Sequence, residues 1–253
     1  MTSSGRFADL RAVKVVLTIE ARMTSVRLPG KVLADIGGLS LLAMMVRRLK
    51  QTQTVSSICL ATTINEADDA LVELAKELGI SWFRGSEDDV LERVLQAARS
   101  ECADVIVETT ADCPFIDPAV VDACVLAYFA TDVHFASNCL VETMPRGCDV
   151  KVFSTETLAE VASLTADAAD HEHVSLYIYE HPERYRLVTL RAIGLLSRPD
   201  WRWTVDTPED LKFVRAVVAE LGYDFTTARA VQFLDDRPDM TAINRLVRQK
   251  PVR

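Results

Sequence analysis

The chain has 253 residues, of which 49 % are hydrophobic, enough to bury one sizeable α/β core and too apolar for a disordered polymer. Its formal net charge of −9 excludes the broad basic face that bulk binding to nucleic acid or an anionic membrane requires. An anionic ligand must instead meet a local island of positive charge.

The opening "MTSSGRFADLRAVK" has no apolar signal core, and no apolar run reaches membrane-spanning length, so neither a leader nor a span is expected. "VKVVLTI" (Val13–Ile19) predicts a buried first strand. "LSLLAMMVRRLKQ" predicts the first full helix, "SSICLAT" a second strand, and "NEADDALVELAKEL" a helix capped by Asn65 with Asp68 in its first turn. A short strand "ISWF" leads to helix "SEDDVLERVLQAARS", for which Ser86 and Asp89 form a similar start signal, and then to strand "DVIVETT". This alternation predicts a doubly wound, mainly parallel sheet with helices on both faces, Rossmann-like in architecture.

From Asp132 to Arg202 the rhythm changes to short strands ("VHFAS", "CDVKVF", "YRLVTL") with two helical pieces between them. This predicts a small α+β lobe inserted in a single domain, before a last core strand "WRWTV". Helix "PEDLKFVRAVVAEL" and a helical tail containing "DMTAINRLVRQK" close the chain. The six cysteines are scattered with no C-x-x-C pair, which fits buried thiols in a reducing cytoplasm better than zinc or a disulfide framework.

The basic island is "RMTSVRLPGKVL", where Arg22, Arg27 and Lys31 follow the first strand directly, the position at which doubly wound sheets bind ligands. Gly30 can take positive φ and Pro29 stiffens the turn before it, so backbone N–H groups and three cations suit a polyphosphate. The segment is neither a Walker A loop nor the G-x-G-x-x-G fingerprint, which argues against a dinucleotide-dependent oxidoreductase. A solvated loop whose arginines pair with surface acids is the plainer alternative.

Two aspartates stand out once helix caps are assigned. In "ADCPFIDP", Pro118 makes Asp117 the cap and leaves Asp112 over. In "TVDTPEDL", Pro208 makes Thr207 the cap with Asp210 three residues on, and leaves Asp206 over. Both spare carboxylates fall at the carboxyl edge of the sheet. A Mg²⁺ site completed by phosphate and water is open to them, and so is local turn hydrogen bonding.

"ARMTSVRLPGKVLADIGG" resembles the signature of the nucleotide-sugar cytidylyltransferases, which include the 3-deoxy-manno-octulosonate, acylneuraminate and spore-coat-polysaccharide types. "FRGSEDDVLER", "ADCPFIDP", "HEHVSLYI" and "TVDTPEDL" recur in the last group in this order, so the resemblance runs from about Val13 to Lys250. It implies a nucleotidyltransferase fold, CTP bound by Arg22, Ser25, Arg27, Gly30 and Lys31, and Mg²⁺ on Asp112 and Asp206. It further implies that Arg84 and Ser86 lie near the nucleotide, and that Asp149, His173 and Tyr177 line the acceptor pocket. Arg146, Lys151, Ala111 and Glu20 depart from the family pattern. Arg146 and Lys151 would make the acceptor side more basic and suit an anionic acceptor. The implied reaction is Mg²⁺-dependent transfer of CMP from CTP with release of pyrophosphate. A guanylyl-, uridylyl- or thymidylyltransferase and a non-catalytic nucleotide-sugar-binding subunit are the alternatives. Separately, the inserted lobe with its apolar strands "VHFAS" and "YRLVTL" predicts a homodimer contact.

Overall fold

The computed structural model describes residues 12–250, and the opening residues read for a signal core lie largely outside them. Seven strands form one sheet in the order β3-β2-β1-β4-β6-β5-β7. They are β1 (Val15–Glu20), β2 (Ser57–Thr63), β3 (Ser81–Gly85), β4 (Val105–Thr110), β5 (Phe135–Ser137), β6 (Lys151–Ser154) and β7 (Leu187–Thr189). The first four are mutually parallel, β6 runs antiparallel to both of its neighbours, and β5 pairs parallel with β7. The expectation of a mainly parallel α/β sheet holds. Residues 132–202 supply β5, β6 and β7 to this same sheet rather than a separate one.

Alternation along β1 sends its side chains to two cores. Val15, Leu17 and Ile19 pack with α1 (Leu41–Leu49), α2 (Asp69–Glu77) and α4 (Pro118–Ala130). Val16 packs on the other face with α3 (Val90–Ser100), α5 (Thr155–Leu164) and α7 (Leu176–Glu180). A third cluster lies beside the sheet, where Phe115 and Trp203 meet α8 (Pro208–Leu221) and α9 (Thr227–Asp235). Two short helices complete the chain, α6 (Ala168–Glu172) and α10 (Pro238–Thr241).

The capping arguments hold where proline marks the first turn. Asp117 accepts from Ala119 N, and Thr207 and Asp210 form a reciprocal capping box. The earlier caps are corrected. Helix α3 starts at Val90 with Asp89 itself as cap, while Ser86 Oγ accepts from Asp89 N. Asn65 does not cap through its side chain. Asp68 is fully buried and accepts from Thr63 N and from Met23 N at 2.7 Å, so it anchors the start of the basic loop.

"WRWTV" is not a core strand. Arg146 N donates to Trp201 O at 2.9 Å, Trp203 N to Arg146 O at 2.7 Å, and Val205 N to Asp112 O at 2.8 Å. Its backbone groups are satisfied by two loops, so no sheet ladder is left for it to join. Gly147, at φ +100, makes this approach possible, since a Cβ there would lie 2.5 Å from Thr204 N. The tail also departs from expectation: after α10 it runs without helix to Lys250.

Candidate active site

The segment after β1 closes into a compact loop. Gly30 takes φ +70 and donates to Met23 O at 3.0 Å, and Lys31 then opens a short 3₁₀ turn. Because "WRWTV" crosses the sheet edge bound to Asp112 O, it delivers Asp206 beside Asp112. Both carboxylates and Lys31 meet there. Lys31 Nζ lies 2.8 Å from Asp112 Oδ2, from Asp206 Oδ1 and from Val205 O. An ammonium therefore bridges the two carboxylates and balances their charge.

Asp206 gathers more cations than any neighbour in the site. Its Oδ2 accepts from Arg202 Nη2 at 2.6 Å and pairs with Arg27 Nη2 at 2.8 Å. Arg202, almost fully buried, also holds Asp210 at 2.9 Å and Gln249 at 2.7 Å. Burial pushes the Asp206 carboxyl up, but Lys31, Arg27 and Arg202 outweigh it and hold it below the usual carboxylate range. Burial likewise disfavours the Lys31 ammonium, yet Asp112 and Asp206 raise its pKa.

Lys31, Asp112 and Asp206 line an open cleft of about 510 Å³, a size typical of small-ligand sites. Arg22, Ser25, Arg27, Lys31, Asp112, Arg146, Asp149, His173 and Asp206 all border it. Gly30 is not among the lining residues and closes the loop through its bond to Met23 O. Arg22 reaches the rim, where its guanidinium is 3.3 Å from Glu87.

Other candidates fall elsewhere. Arg84 holds the β2–β3 end through Thr63 O and Asn65 O at 2.8 and 2.7 Å, and neither it nor Ser86 is among the residues lining the cleft. Tyr177, expected beside His173, stacks on His181 with ring centroids 3.9 Å apart and faces the second core. The reason is local: Val174 at φ +51 breaks the helix after His173, so residues 173 and 177 are not one turn apart on a common helix. His171 is pinned by Asp89 and Thr165 O, at 2.8 and 3.1 Å.

The cleft also holds groups that sequence reasoning did not place. Glu20 and Arg93 line its floor, with Glu172 at one side and Gln249 and Lys250 from the tail. Under Glu20, Lys151 Nζ is 2.6 Å from Glu108 Oε1 on the neighbouring strand. Lys151 is thus committed to Glu108, correcting the expectation that it adds free positive charge for an acceptor. Glu20 Oε1, Glu108 Oε2 and Arg93 Nε are buried with no hydrogen-bond partner among the described residues. Burial first, and Glu108 second, push the Glu20 carboxyl up to about 8. A charged residue ending an apolar strand, and an arginine on the apolar side of α3, were the legible signals.

The site fits a divalent cation. Two carboxylate oxygens and a carbonyl oxygen already converge on one cationic nitrogen, and hard oxygen donors with open positions are what Mg²⁺ or Mn²⁺ takes. Among the described residues no helix is long and apolar enough to cross a membrane.

Residues 16–230 match the cytidylyltransferase family. The chain is 33 % identical to an uncharacterized protein of Methanocaldococcus jannaschii over 242 residues, covering 95 % of this chain and 98 % of that one. It is 32 % identical to the spore coat polysaccharide biosynthesis protein SpsF of Bacillus subtilis, covering 89 % and 95 % respectively. Among solved structures, a cytidylyltransferase from Leptospira borgpetersenii superposes with a TM-score of 0.87 at 31 % identity, over 90 % of this chain and 97 % of that one. With its basic loop after β1 and its paired aspartates at the sheet edge, the chain belongs to the cytidylyltransferase family and is a CTP-dependent nucleotidyltransferase.

Proposed function

We propose that the protein transfers CMP from CTP to an anionic small-molecule acceptor and releases pyrophosphate, using a divalent cation held by Asp112 and Asp206. The observation that carries this reading is the convergence of Asp112 Oδ2 and Asp206 Oδ1 on one cation position at the mouth of the basic loop. Bound there, Mg²⁺ would neutralise phosphate charge and orient the reacting oxygens. Arg22, Arg27 and Lys31 would hold the triphosphate and stabilise the charge that builds on departing pyrophosphate. Arg202 keeps Asp206 in place from the protein side.

The acceptor would enter beside Arg146, Asp149 and His173, which border the same cleft. Arg146 and Lys250 favour an acid there, while burial pushes the Asp149 carboxyl up against the pull of Lys151 and Arg146, which suits hydrogen bonding to a hydroxyl. The name of the spore-coat relative supports a place in polysaccharide biosynthesis. Residues 132–202 would carry both this acceptor side and a twofold contact, because Val141, Ile193 and Leu195 are apolar and exposed there, Ile193 by 83 %. Sedimentation at micromolar concentration should give a dimer, and a clean monomer would remove that contact.

The reaction is tested by measuring pyrophosphate release with CTP, UTP, GTP and dTTP in turn, against a panel of keto-deoxy sugar acids and small phosphorylated or phosphonate acids. Release with CTP and an acidic acceptor, dependent on divalent cation, is the expected result. Turnover only with another nucleotide would move the donor assignment. CTP binding without turnover against any acceptor would favour a binding subunit.

A further inference from the structure

We infer that Lys31 makes the aspartate pair selective for a divalent cation that arrives with a nucleotide, and shuts out the free ion. The inference rests on the proposed metal role of Asp112 and Asp206 and extends it. An ammonium has three N–H donors, and here all three acceptors are supplied at one distance: Asp112 Oδ2, Asp206 Oδ1 and Val205 O, each at 2.8 Å from Nζ. Such charge-assisted bonds are about twice as strong as neutral ones. A divalent ion drawing on the same two carboxylate oxygens would need contacts of about 2.0–2.1 Å, so it would occupy the space that Nζ now fills. Two cations cannot share it.

Entry of the ion is therefore an exchange. A free ion offers the displaced ammonium nothing in return, so the three bonds are lost. A cation carried on a triphosphate brings phosphate oxygens that accept those N–H groups. Lys31 is built for this movement. Its backbone is fixed, with its N donating to Leu28 O at 3.2 Å and its O accepting from Ala34 N at 3.0 Å, so any movement of the ammonium runs through the rotatable bonds of its four-carbon stem. Asp206 is divided in the same sense. Its Oδ2 stays with Arg27 and Arg202, leaving Oδ1 to pass from ammonium to metal. The coupling must be reciprocal: nucleotide raises affinity for the ion as the ion raises affinity for nucleotide.

The test uses Mn²⁺ as the probe, titrated by electron paramagnetic resonance with and without CTP. The wild type should bind free Mn²⁺ weakly and gain about ten-fold or more when CTP is present. Lys31→Met should bind free Mn²⁺ about ten-fold more tightly than the wild type, although it is catalytically impaired, and should lose most of the coupling to CTP. Lys31→Gln provides the same comparison where Lys31→Met does not fold. Asp206→Asn in either background should abolish the gained site. If the lysine variants bind free Mn²⁺ no better than the wild type, the exchange is overturned, while wild-type Mn²⁺ binding with CTP that is lost in Asp206→Asn would keep the metal pair. If Mn²⁺ binding never depends on Asp206, the metal reading itself falls and the exchange with it.

Discussion

Two buried clusters of charge lie under one cleft and are balanced in opposite ways. At the sheet edge, Asp206 is surrounded by Lys31, Arg27 and Arg202, and its carboxyl is held low. On the floor, Glu108 pairs with Lys151, Glu20 and Glu108 each keep an unpartnered oxygen, and the Glu20 carboxyl is pushed up. The edge is saturated with hydrogen bonds and would have to exchange them to take a ligand. The floor keeps groups without partners, Arg93 Nε among them, and would gain bonds from a ligand. Burial alone thus says little about a charged group; the match of donors to acceptors decides its state.

The comparison is broken most severely by removing the floor's cation. Lys151→Met leaves the Glu108 carboxylate, 3 % exposed, without its partner, and should cost about 3–5 kcal/mol in urea unfolding. A loss under about 1 kcal/mol would mean that the Lys151–Glu108 pair contributes little to stability. At the edge the larger effect should be on chemistry. Lys31→Ala should lower kcat by about a hundred-fold or more with saturating CTP, the scale of losing one oxyanion-type donor. A variant with wild-type kcat would take Lys31 out of the reaction.

A third experiment uses pH to separate the two regions. The Glu20 carboxyl is raised from 4.5 to about 8, so the folded protein holds a proton that the unfolded chain has released across that window. Its contribution to stability is therefore complete below about 4.5 and is lost as pH rises through about 8. Glu20→Gln carries no such proton. The melting temperature of the variant should climb relative to the wild type across this interval and level off above it. A constant difference would show that Glu20 does not titrate there. The smallest effect belongs to the rim, where Arg22 and Glu87 are both solvent-accessible, with side chains 39 % and 31 % exposed. Glu87→Gln should change stability by less than about 1 kcal/mol.

The edge was far more legible in the sequence than the floor. Proline-marked caps assigned Asp117, Thr207 and Asp210 locally, and subtraction exposed Asp112 and Asp206. The parallel half of the sheet was readable as apolar runs at regular intervals. What brought the aspartates together was not readable, because the extended "WRWTV" segment bonds to Arg146 and Asp112, partners 55 or more residues away, instead of joining a ladder. The floor depends on strand order. Glu108 meets Lys151 only because antiparallel β6 lies next to β4, and no local pattern encodes that neighbour. The resemblance put His173 and Tyr177 in one pocket, and a single left-handed residue, Val174, sets them on separate helical pieces.

The central claim is that Asp112 and Asp206 form one cation site, and a melting experiment tests it most directly. Wild type, Asp112→Asn, Asp206→Asn and the double variant are each heated with CTP alone and with CTP plus Mg²⁺. A ligand that binds only the folded state raises the melting temperature, so the wild type should gain stability when Mg²⁺ joins CTP. Each single variant should lose most of that Mg²⁺-dependent gain, and the double variant should lose no more than either, because both carboxylates act on one ion. A single variant that keeps the full Mg²⁺-dependent shift and full activity would show that its aspartate serves only to hold Lys31, and the account of the site would be wrong.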